Sequence, residues 1–574
     1  MDREIKLWDI WMKKAVEDED IQNELKEMKG NQEKIYDSFY RELEFGTGGL
    51  RGVIGAGTNR MNIYTVAKAT QGYADYLKKN EKNPSIAIAY DSRIKSDKFA
   101  RTVAEVLAAN GISVFLYREL MPTPSLSYAV RYLGCSGGIV ITASHNPAKY
   151  NGYKVYGADG GQITSYAASQ ILKEIDKLDI FCDVNRIEFE EGLKIGLITY
   201  IEEAVIDSYI KAVSAQSLCG DEIDKSVSIV YTPLNGAGLK CVLRTLKENG
   251  FTNISVVKEQ EYPDGNFPTC PYPNPEIRDA MELGIQYARQ QNSELLLATD
   301  PDCDRVGIAV QKDGKYQLLN GNQVGVLLLD YICKRRQEKG QMPKNPVVVK
   351  TIVTTDMAKK IAEFYGIEVI EVLTGFKYIG EQIGLLEQKG EENRYIFGFE
   401  ESYGYLSGGF VRDKDAVNGS LMICEMFAYY KSQGRNLLDV LEELYDKFGY
   451  CLTSLHSYQF EGEAGFKKMQ AFMQNMRENY PTILGGLPVN VIEDYQKQNR
   501  IFQSGKEEKI TGLPVSNVLK FMLDGGSSCV VRPSGTEPKL KLYLSVVGND
   551  RDKASIQEQI IEKDVKNLLE KVTC

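Results

Sequence analysis

An apolar run, Gly138-Ile139-Val140-Ile141, opens into Thr142-Ala143-Ser144-His145-Asn146-Pro147, which predicts a buried strand ending in a loop with an available serine hydroxyl. Pro147 stops the strand from continuing, and Asn151-Gly152 predicts a tight turn that returns the chain through Tyr153-Lys154-Val155-Tyr156. Alternation along the returning strand puts Lys154 and Tyr156 on one face. A cation brought back toward a hydroxyl suits an anionic ligand. Ser-His-Asn-Pro also serves as ordinary turn chemistry, so the loop by itself leaves both readings open. No Gly-x-Ser-x-Gly elbow surrounds Ser144, which disfavours a serine hydrolase. Only two histidines, His145 and His456, occur in the chain, so acid–base chemistry falls to lysines, carboxylates or His145 itself.

A second strand-like run, Leu295-Leu296-Leu297-Ala298, leads into Thr299-Asp300-Pro301-Asp302-Cys303-Asp304-Arg305. In an extended segment, carboxylates at alternate positions project together, and three hard oxygen ligands suit Mg²⁺. An EF-hand calcium loop does not fit, because Arg305 stands where that loop needs glycine and Gln311 where it needs glutamate. A solvated acidic turn competes with metal binding, but like charges at the end of a buried strand repel unless a cation compensates them. Tyr395-Ile396-Phe397 enters a third loop, Gly398-Phe399-Glu400-Glu401-Ser402-Tyr403-Gly404, where Glu400 and Ser402 could grip neighbouring sugar hydroxyls or simply form an acidic turn. Thr374-Gly375-Phe376-Lys377 and Arg412-Asp413-Lys414-Asp415 add cations nearby, although lysines in charged runs are commonly just solvated. Near the C-terminus, Ser528-Cys529-Val530-Val531 runs into Arg532-Pro533-Ser534-Gly535-Thr536-Glu537-Pro538-Lys539 and then a strand over Leu540 to Leu544. A guanidinium, two hydroxyls and a glycine-opened backbone make a phosphate cradle there, with a polar-tipped hairpin as the alternative.

These loops need elements to position them. At 574 residues the chain is long enough for about four domains. Its 43% apolar and 26% charged residues are those of an ordinary folded protein, which excludes long disorder. A net charge of −10 disfavours general nucleic-acid binding, because a phosphate backbone would meet a repelling field; a small phosphorylated molecule can still use a local basic pocket. The start of the chain, Met1-Asp2-Arg3-Glu4-Ile5-Lys6, has no signal-peptide character, and no apolar run suffices to span a bilayer. The cytoplasm is the expected location. Eleven cysteines without Cys-x-x-Cys pairs fit reduced thiols used as small apolar residues, Cys303 in the acidic loop included.

An N-terminal helical stretch over about residues 4–40 precedes an α/β rhythm. Strand-like Ile86 to Tyr90, a helix from about Phe99 to Asn110, and strand-like Ile112 to Leu116 lead to the strand before Ser144. The rhythm restarts at Val227-Ser228-Ile229-Val230-Tyr231 and again at Val347-Val348-Val349. Three successive α/β units follow, each ending an apolar strand in a chemically loaded loop, where open α/β sheets place ligands.

Taken in this order, together with Phe45-Gly46-Thr47-Gly48-Gly49-Leu50-Arg51-Gly52, the loops identify a resemblance to the α-D-phosphohexomutase superfamily over essentially the full chain, and within it to the bacterial glucose-phosphate branch. The resemblance implies three α/β domains with mixed sheets and a smaller C-terminal α+β domain around a central cleft. The corresponding divisions are 1–205, the helical extension with the phosphoserine domain; 206–322, the metal-binding domain; 323–445, the sugar-binding domain; and 446–574, the phosphate-binding domain. It implies that Ser144 is carried as phosphoserine, with Ser144, Asp300, Asp302 and Asp304 around Mg²⁺. Arg51, Lys154 and Arg305 would neutralise developing charge, while His145 and Lys414 would assist proton transfer or sugar contact. Gly375, Phe376, Lys377, Glu400 and Ser402 would bind the sugar, and Arg532, Ser534, Gly535 and Thr536 the phosphate that is not reacting.

The implied activity is interconversion of glucose 1-phosphate and glucose 6-phosphate, with glucose 1,6-bisphosphate as intermediate and activator. Asn235 stands in Thr232-Pro233-Leu234-Asn235-Gly236 where a histidine is common, and Tyr403-Gly404-Tyr405 lacks one too, which keeps pentose and mannose phosphates open as substrates. The segment Asn151 to Tyr156 also resembles the pentose-phosphate branch. A non-catalytic phosphosugar-binding regulator and a metal-dependent phosphatase are the readings from other classes. The expected partner is a small phosphorylated sugar, with no nucleic acid or membrane, for a monomer or homodimer.

Overall fold

A computed structural model describes residues 2–571 apart from Thr47, Asp221, Glu461 and 535–538, and apart from the side chains of 462–464. Three mixed sheets carry the motif loops. In the first, strands β1 (Gly49–Val53), β2 (Ser85–Tyr90), β3 (Ser113–Leu116), β4 (Gly137–Ile141), β5 (Tyr150–Gly157) and β6 (Ile198–Tyr200) lie in the order β1-β5-β4-β2-β3-β6. β4, β2, β3 and β6 run parallel, and the antiparallel pair β5 and β1 closes one side. The second sheet arranges β7 (Ile229–Thr232), β8 (Ile254–Val256), β9 (Leu295–Thr299), β10 (Val306–Lys312) and β11 (Lys315–Leu319) as β11-β10-β9-β7-β8. The third arranges β12 (Val347–Thr351), β13 (Glu368–Val372), β14 (Tyr395–Phe399) and β15 (Tyr405–Leu406) as β13-β12-β14-β15.

The central strands of these sheets are buried at every residue, as β4, β9, β12 and β14 show. Continuous Val, Ile, Leu and Phe runs are what strands covered on both faces require. The loops after β4, β9 and β14 begin at corresponding ends of three similar sheets, and they hold Ser144, Asp300 and Glu400. A fourth unit contains β16 (Tyr450–Gln459), β17 (Ile483–Leu484), β18 (Leu487–Asp494), β19 (Asn499–Phe502), β20 (Glu507–Lys509), β21 (Leu519–Leu523), β22 (Ser528–Pro533) and β23 (Lys539–Gly548). Its order is β16-β23-β22-β21-β18-β19-β20, with β17 on β18 and a helix, Arg551–Glu570, whose Ile561, Val565 and Leu569 join the core of that unit. It meets the third sheet through buried ions: Lys350 of β12 lies 2.9 Å from Glu371 of β13, and Lys520 of β21 reaches the same carboxylate at 3.4 Å.

Two expectations change. Asn151 and Gly152 form no turn but lie inside β5; the chain reverses over the preceding residues, with the Asn146 N–H donating to the Ala143 carbonyl and the Tyr150 N–H to that of Pro147. Gly152 is there because β1 and the strand end at Thr142 crowd it: a Cβ would meet the Thr142 carbonyl oxygen at 2.4 Å and that of Leu50 at 3.0 Å. Nor is the aspartate segment extended. Cys303 adopts φ +52° and its N–H donates to the Asp300 carbonyl at 2.9 Å, so the segment coils into a turn. That turn brings carboxylate oxygens of Asp300, Asp302 and Asp304 within 4.8 Å of one another.

The helical N-terminus consists of α1 (Asp2–Lys14), α2 (Glu19–Glu27) and α3 (Gln32–Phe39). Trp11 is 1% exposed and packs edge-on against Phe39, Tyr64 and Phe181, which joins the helices to the first domain. The Glu24 carboxylate accepts the Ala56 N–H at 2.7 Å and Ser38 offers its carbonyl to the Asn59 N–H, so the segment following β1 is fastened to these helices. No described helix is long and apolar enough to cross a membrane. Trp11→Ala leaves a cavity among three rings and is expected to cost about 3–5 kcal/mol; a lower urea midpoint together with faster proteolytic cleavage within residues 2–40 checks this, and wild-type behaviour in both would refute it.

Candidate active site

Ser144 sits 4% exposed at φ +50°, a backbone region that L-residues enter only when their surroundings hold them there. Its N–H donates to Thr142 Oγ1 at 2.7 Å, and its hydroxyl donates to Asp300 Oδ2 at 2.7 Å. His145 Nδ1 lies 3.2 Å from the same hydroxyl. Burial first, then the nearby Arg305 and Arg51 charges, hold the His145 imidazole well below its ordinary range. It is therefore neutral at pH 7.

The aspartate turn is buried, with Asp300, Asp302 and Asp304 at most 1% exposed. Burial and the two neighbouring carboxylates push Asp300 up. Burial acts in the same direction on Asp302, but the Lys154 ammonium outweighs it and holds that carboxyl far below the usual range. Lys154 Nζ is 2.9 Å from Asp302 and 3.5 Å from Asp304, and Lys414 Nζ is 2.9 Å from Asp304. Burial disfavours both ammonium groups, yet these carboxylates outweigh it and raise both pKa values. Asp302 Oδ1 and Asp304 Oδ1 have no hydrogen-bond donor, while Asp304 Oδ2 faces the Lys414 ammonium. Three convergent carboxylates with undonated oxygens are a donor set that fits a hard divalent cation.

Arg305 leaves this turn as a fixed cation, its Nη1 2.6 Å from Glu276, and that carboxylate together with Asp304 outweighs the effect of burial on its pKa. Arg51 lies on β1 opposite Gly152 of β5. In the third unit, Glu400 Oε1 accepts the Gly375 N–H at 2.9 Å, which ties the acidic loop to the start of the helix Phe376–Gln388. Gly375 has φ +118°, open to glycine and strained for any other residue. The Phe376 ring is 3% exposed in the core, so it anchors the helix and is not offered to a ligand. Lys377 is half-buried, and burial lowers its pKa. Ser402 stands in the turn between β14 and β15. Arg532 lies in β22 one residue before its end, and the Ser534 N–H donates to the Lys539 carbonyl at 2.7 Å; Gly535 and Thr536 lie outside the described residues.

Several site partners carry no motif that singles them out. Thr123 Oγ1 donates to Asp302 Oδ2 at 3.0 Å and its N–H to the Asp302 carbonyl at 2.9 Å, so the N-terminus of the helix Thr123–Leu133 seats the aspartate turn. The only signal for it in the sequence is Pro122-Thr123-Pro124, a helix start. Asp413 accepts the Tyr156 hydroxyl at 2.7 Å and Gln162 Nε2 at 3.0 Å, latching the third unit onto the first. Asn235 uses its amide nitrogen on the Glu259 and Tyr262 carbonyls, a brace within its own domain. Cys303 is a fully buried core thiol.

Hydroxyl, imidazole, carboxylate triad and fixed cations surround one point, a set suited to moving a phosphoryl group. Beside Glu400, burial and that neighbouring carboxylate push Glu401 up to about 7 from an ordinary 4.5. The fold thus holds a proton that the unfolded chain releases near pH 4.5, and the stability contributed by this group falls as pH rises from about 4.5 to about 7. Glu401→Gln is expected to flatten the pH dependence of the thermal midpoint across that window; equal slopes in variant and wild type would contradict the assignment.

Four stretches match the successive domains described for phosphoglucomutase/phosphomannomutase: alpha/beta/alpha domain I at residues 42–180, domain II at 207–314, domain III at 320–448, and the C-terminal domain at 489–563. The phosphoglucomutase of Staphylococcus haemolyticus is 40% identical over 515 residues, 88% of this chain and 91% of that protein. That of Staphylococcus aureus strain bovine RF122 is 38% identical over 544 residues, 94% and 95% of the two. Among solved structures, a phosphoglucomutase/phosphomannomutase family protein from Burkholderia thailandensis shares the fold at TM-score 0.66 and 17% identity, covering 92% of this chain and 98% of that one. The open form of the Paramecium phosphoglucomutase pp63/parafusin does so at TM-score 0.66 and 17% identity, covering 92% and 96%.

Proposed function

The chain belongs to the phosphoglucomutase/phosphomannomutase family, and from that premise we propose that it is a phosphoglucomutase, an isomerase that converts glucose 1-phosphate to glucose 6-phosphate and back through a phosphoserine at Ser144. The observation that carries this reading is the Ser144 hydroxyl 2.7 Å from the buried aspartate triad, with Lys154 and Lys414 already balancing its charge.

In the proposed cycle the phosphorus–oxygen bond to Ser144 breaks as a new one forms to the free hydroxyl of the bound sugar phosphate. His145, whose Nδ1 lies 3.2 Å from Ser144 Oγ, and Lys414 would pass the proton released by the sugar hydroxyl to the departing Ser144 oxygen. The resulting glucose 1,6-bisphosphate turns over within the cleft, and its other phosphoryl group returns to Ser144. Arg51, Arg305 and the lysines offset the roughly two negative charges of the phosphoserine. Glu400 and Ser402 would hold sugar hydroxyls while Arg532, Ser534 and the residues after them hold the non-reacting phosphate. Asp300, Asp302 and Asp304 would hold Mg²⁺, which when bound neutralises charge on the phosphoryl oxygens.

Ser144→Ala is expected to lower turnover of glucose 1-phosphate by at least about a thousandfold, with the thermal transition preserved, and to abolish the added phosphate on the Ser144 peptide by mass spectrometry. Phosphorus NMR separates isomerised ester from inorganic phosphate; release of inorganic phosphate would make the protein a phosphatase. Side-by-side rates on glucose, mannose and ribose 1-phosphates decide the sugar, and a higher specificity for ribose or mannose would overturn the glucose assignment. Chelation followed by restored Mg²⁺ is expected to abolish and then recover turnover, while Asp302→Asn does not recover at the same Mg²⁺ concentration.

A further inference from the structure

Behind the Ser144 loop lies a buried arginine that belongs to none of the recognised motifs. Arg93 is 3% exposed, and its guanidinium donates to four carbonyl oxygens of the one loop. Nε reaches the Ser144 carbonyl at 3.2 Å, Nη2 donates to the carbonyls of Ser144 and Asn146, and Nη1 reaches those of Pro147 and Tyr150 at 3.1 and 3.0 Å. Four carbonyl dipoles converging on one buried point repel unless a cation sits among them. Only the planar fork of arginine presents enough donors in fixed directions to satisfy them all; a lysine offers one point charge.

The arginine is itself held from several sides. Asp91 pairs with it at 3.4 Å and accepts its backbone N–H at 3.0 Å, and the Phe267 ring of the second unit lies 5.2 Å from the guanidinium carbon. Gly265 of the same unit packs so closely on the Ser92–Ile94 backbone that a Cβ would meet the Ile94 nitrogen at 2.5 Å. On the far side, Lys95 at φ +62° reaches Asp18 and Asp20 of the N-terminal segment at 3.4 and 2.8 Å, and Lys98 reaches Asp18 at 2.9 Å. The positive φ of Ser144 persists only while its surroundings over-determine it, and Arg93 supplies the largest set of bonds to that turn.

We propose that Arg93 is a positioning residue that holds Ser144 in its reactive orientation, acting through the loop carbonyls without touching substrate. The inference rests on Ser144 being the phosphoryl carrier. Kinetics on glucose 1-phosphate with glucose 1,6-bisphosphate, together with intact mass after incubation with the bisphosphate, test it in wild type, Arg93→Lys and Arg93→Ala. Arg93→Lys is expected to lower kcat about a hundredfold, as an ångström of misplacement does, with KM within threefold and the thermal transition retained. Arg93→Ala is expected to regain activity on saturable addition of guanidinium ion and none with ammonium ion. A kcat of Arg93→Lys within threefold of wild type, or a loss confined to KM, would overturn the role of Arg93 alone, provided that wild-type Ser144 takes up phosphate. Absence of phosphate on wild-type Ser144 would overturn the phosphoenzyme reading and this inference with it.

Discussion

The site is governed by the repulsion among three buried carboxylates. At an effective dielectric of about 20, two like charges some 5 Å apart repel by roughly 3 kcal/mol, so an uncompensated aspartate triad would push its own turn open. Lys154 from the first unit and Lys414 from the third both place ammonium groups on the triad of the second. The charge balance of one turn therefore requires three units to be docked together. It also keeps both lysines as cations.

Docking is reinforced by contacts that cost little chain entropy once the first has formed. The Asp413 latch to Tyr156 and Gln162, the Arg412 N–H donated to Ser127 Oγ, and Thr123 on Asp302 all lie around the same cleft. Asp413, Gln162 and Arg412 come from loops and Thr123 from a helix start, while Tyr156 lies in β5 and Ser127 within the helix Thr123–Leu133. Rigid sheets with variable loops are a general way to hold reacting groups at fixed spacing. For phosphoryl transfer, spacing and field supply most of what catalysis requires.

The N-terminal helices α1–α3 precede the first matched family domain, yet they share the core of the first unit and hold the segment after β1 as well as the loop that carries Arg93. With Ser144 held at a positive φ, a further layer of packing behind that turn is a direct way to keep it in one conformation. Glu24, accepting the Ala56 N–H, and Asp18, pairing with two lysines, are the side chains through which that layer acts.

The sequence by itself determined the three α/β units, the strands before Ser144, Asp300 and Glu400, and the residue types gathered after them, because apolar runs and the loops that interrupt them are local patterns. It misplaced the chain reversal at Asn151-Gly152, since local turn preference cannot register two neighbouring carbonyls that exclude any side chain larger than hydrogen. It drew the aspartates as an extended row, since the coil depends on Cys303 adopting a left-handed conformation that no spacing encodes. Arg93, Thr123, Glu276 and Asp413 were invisible as partners because each acts across 29 to 257 residues of chain. Which charges meet, and in what geometry, is settled only when separately folded sheets pack against one another: electrostatic energy depends on distance through space, and distance along the chain does not fix it.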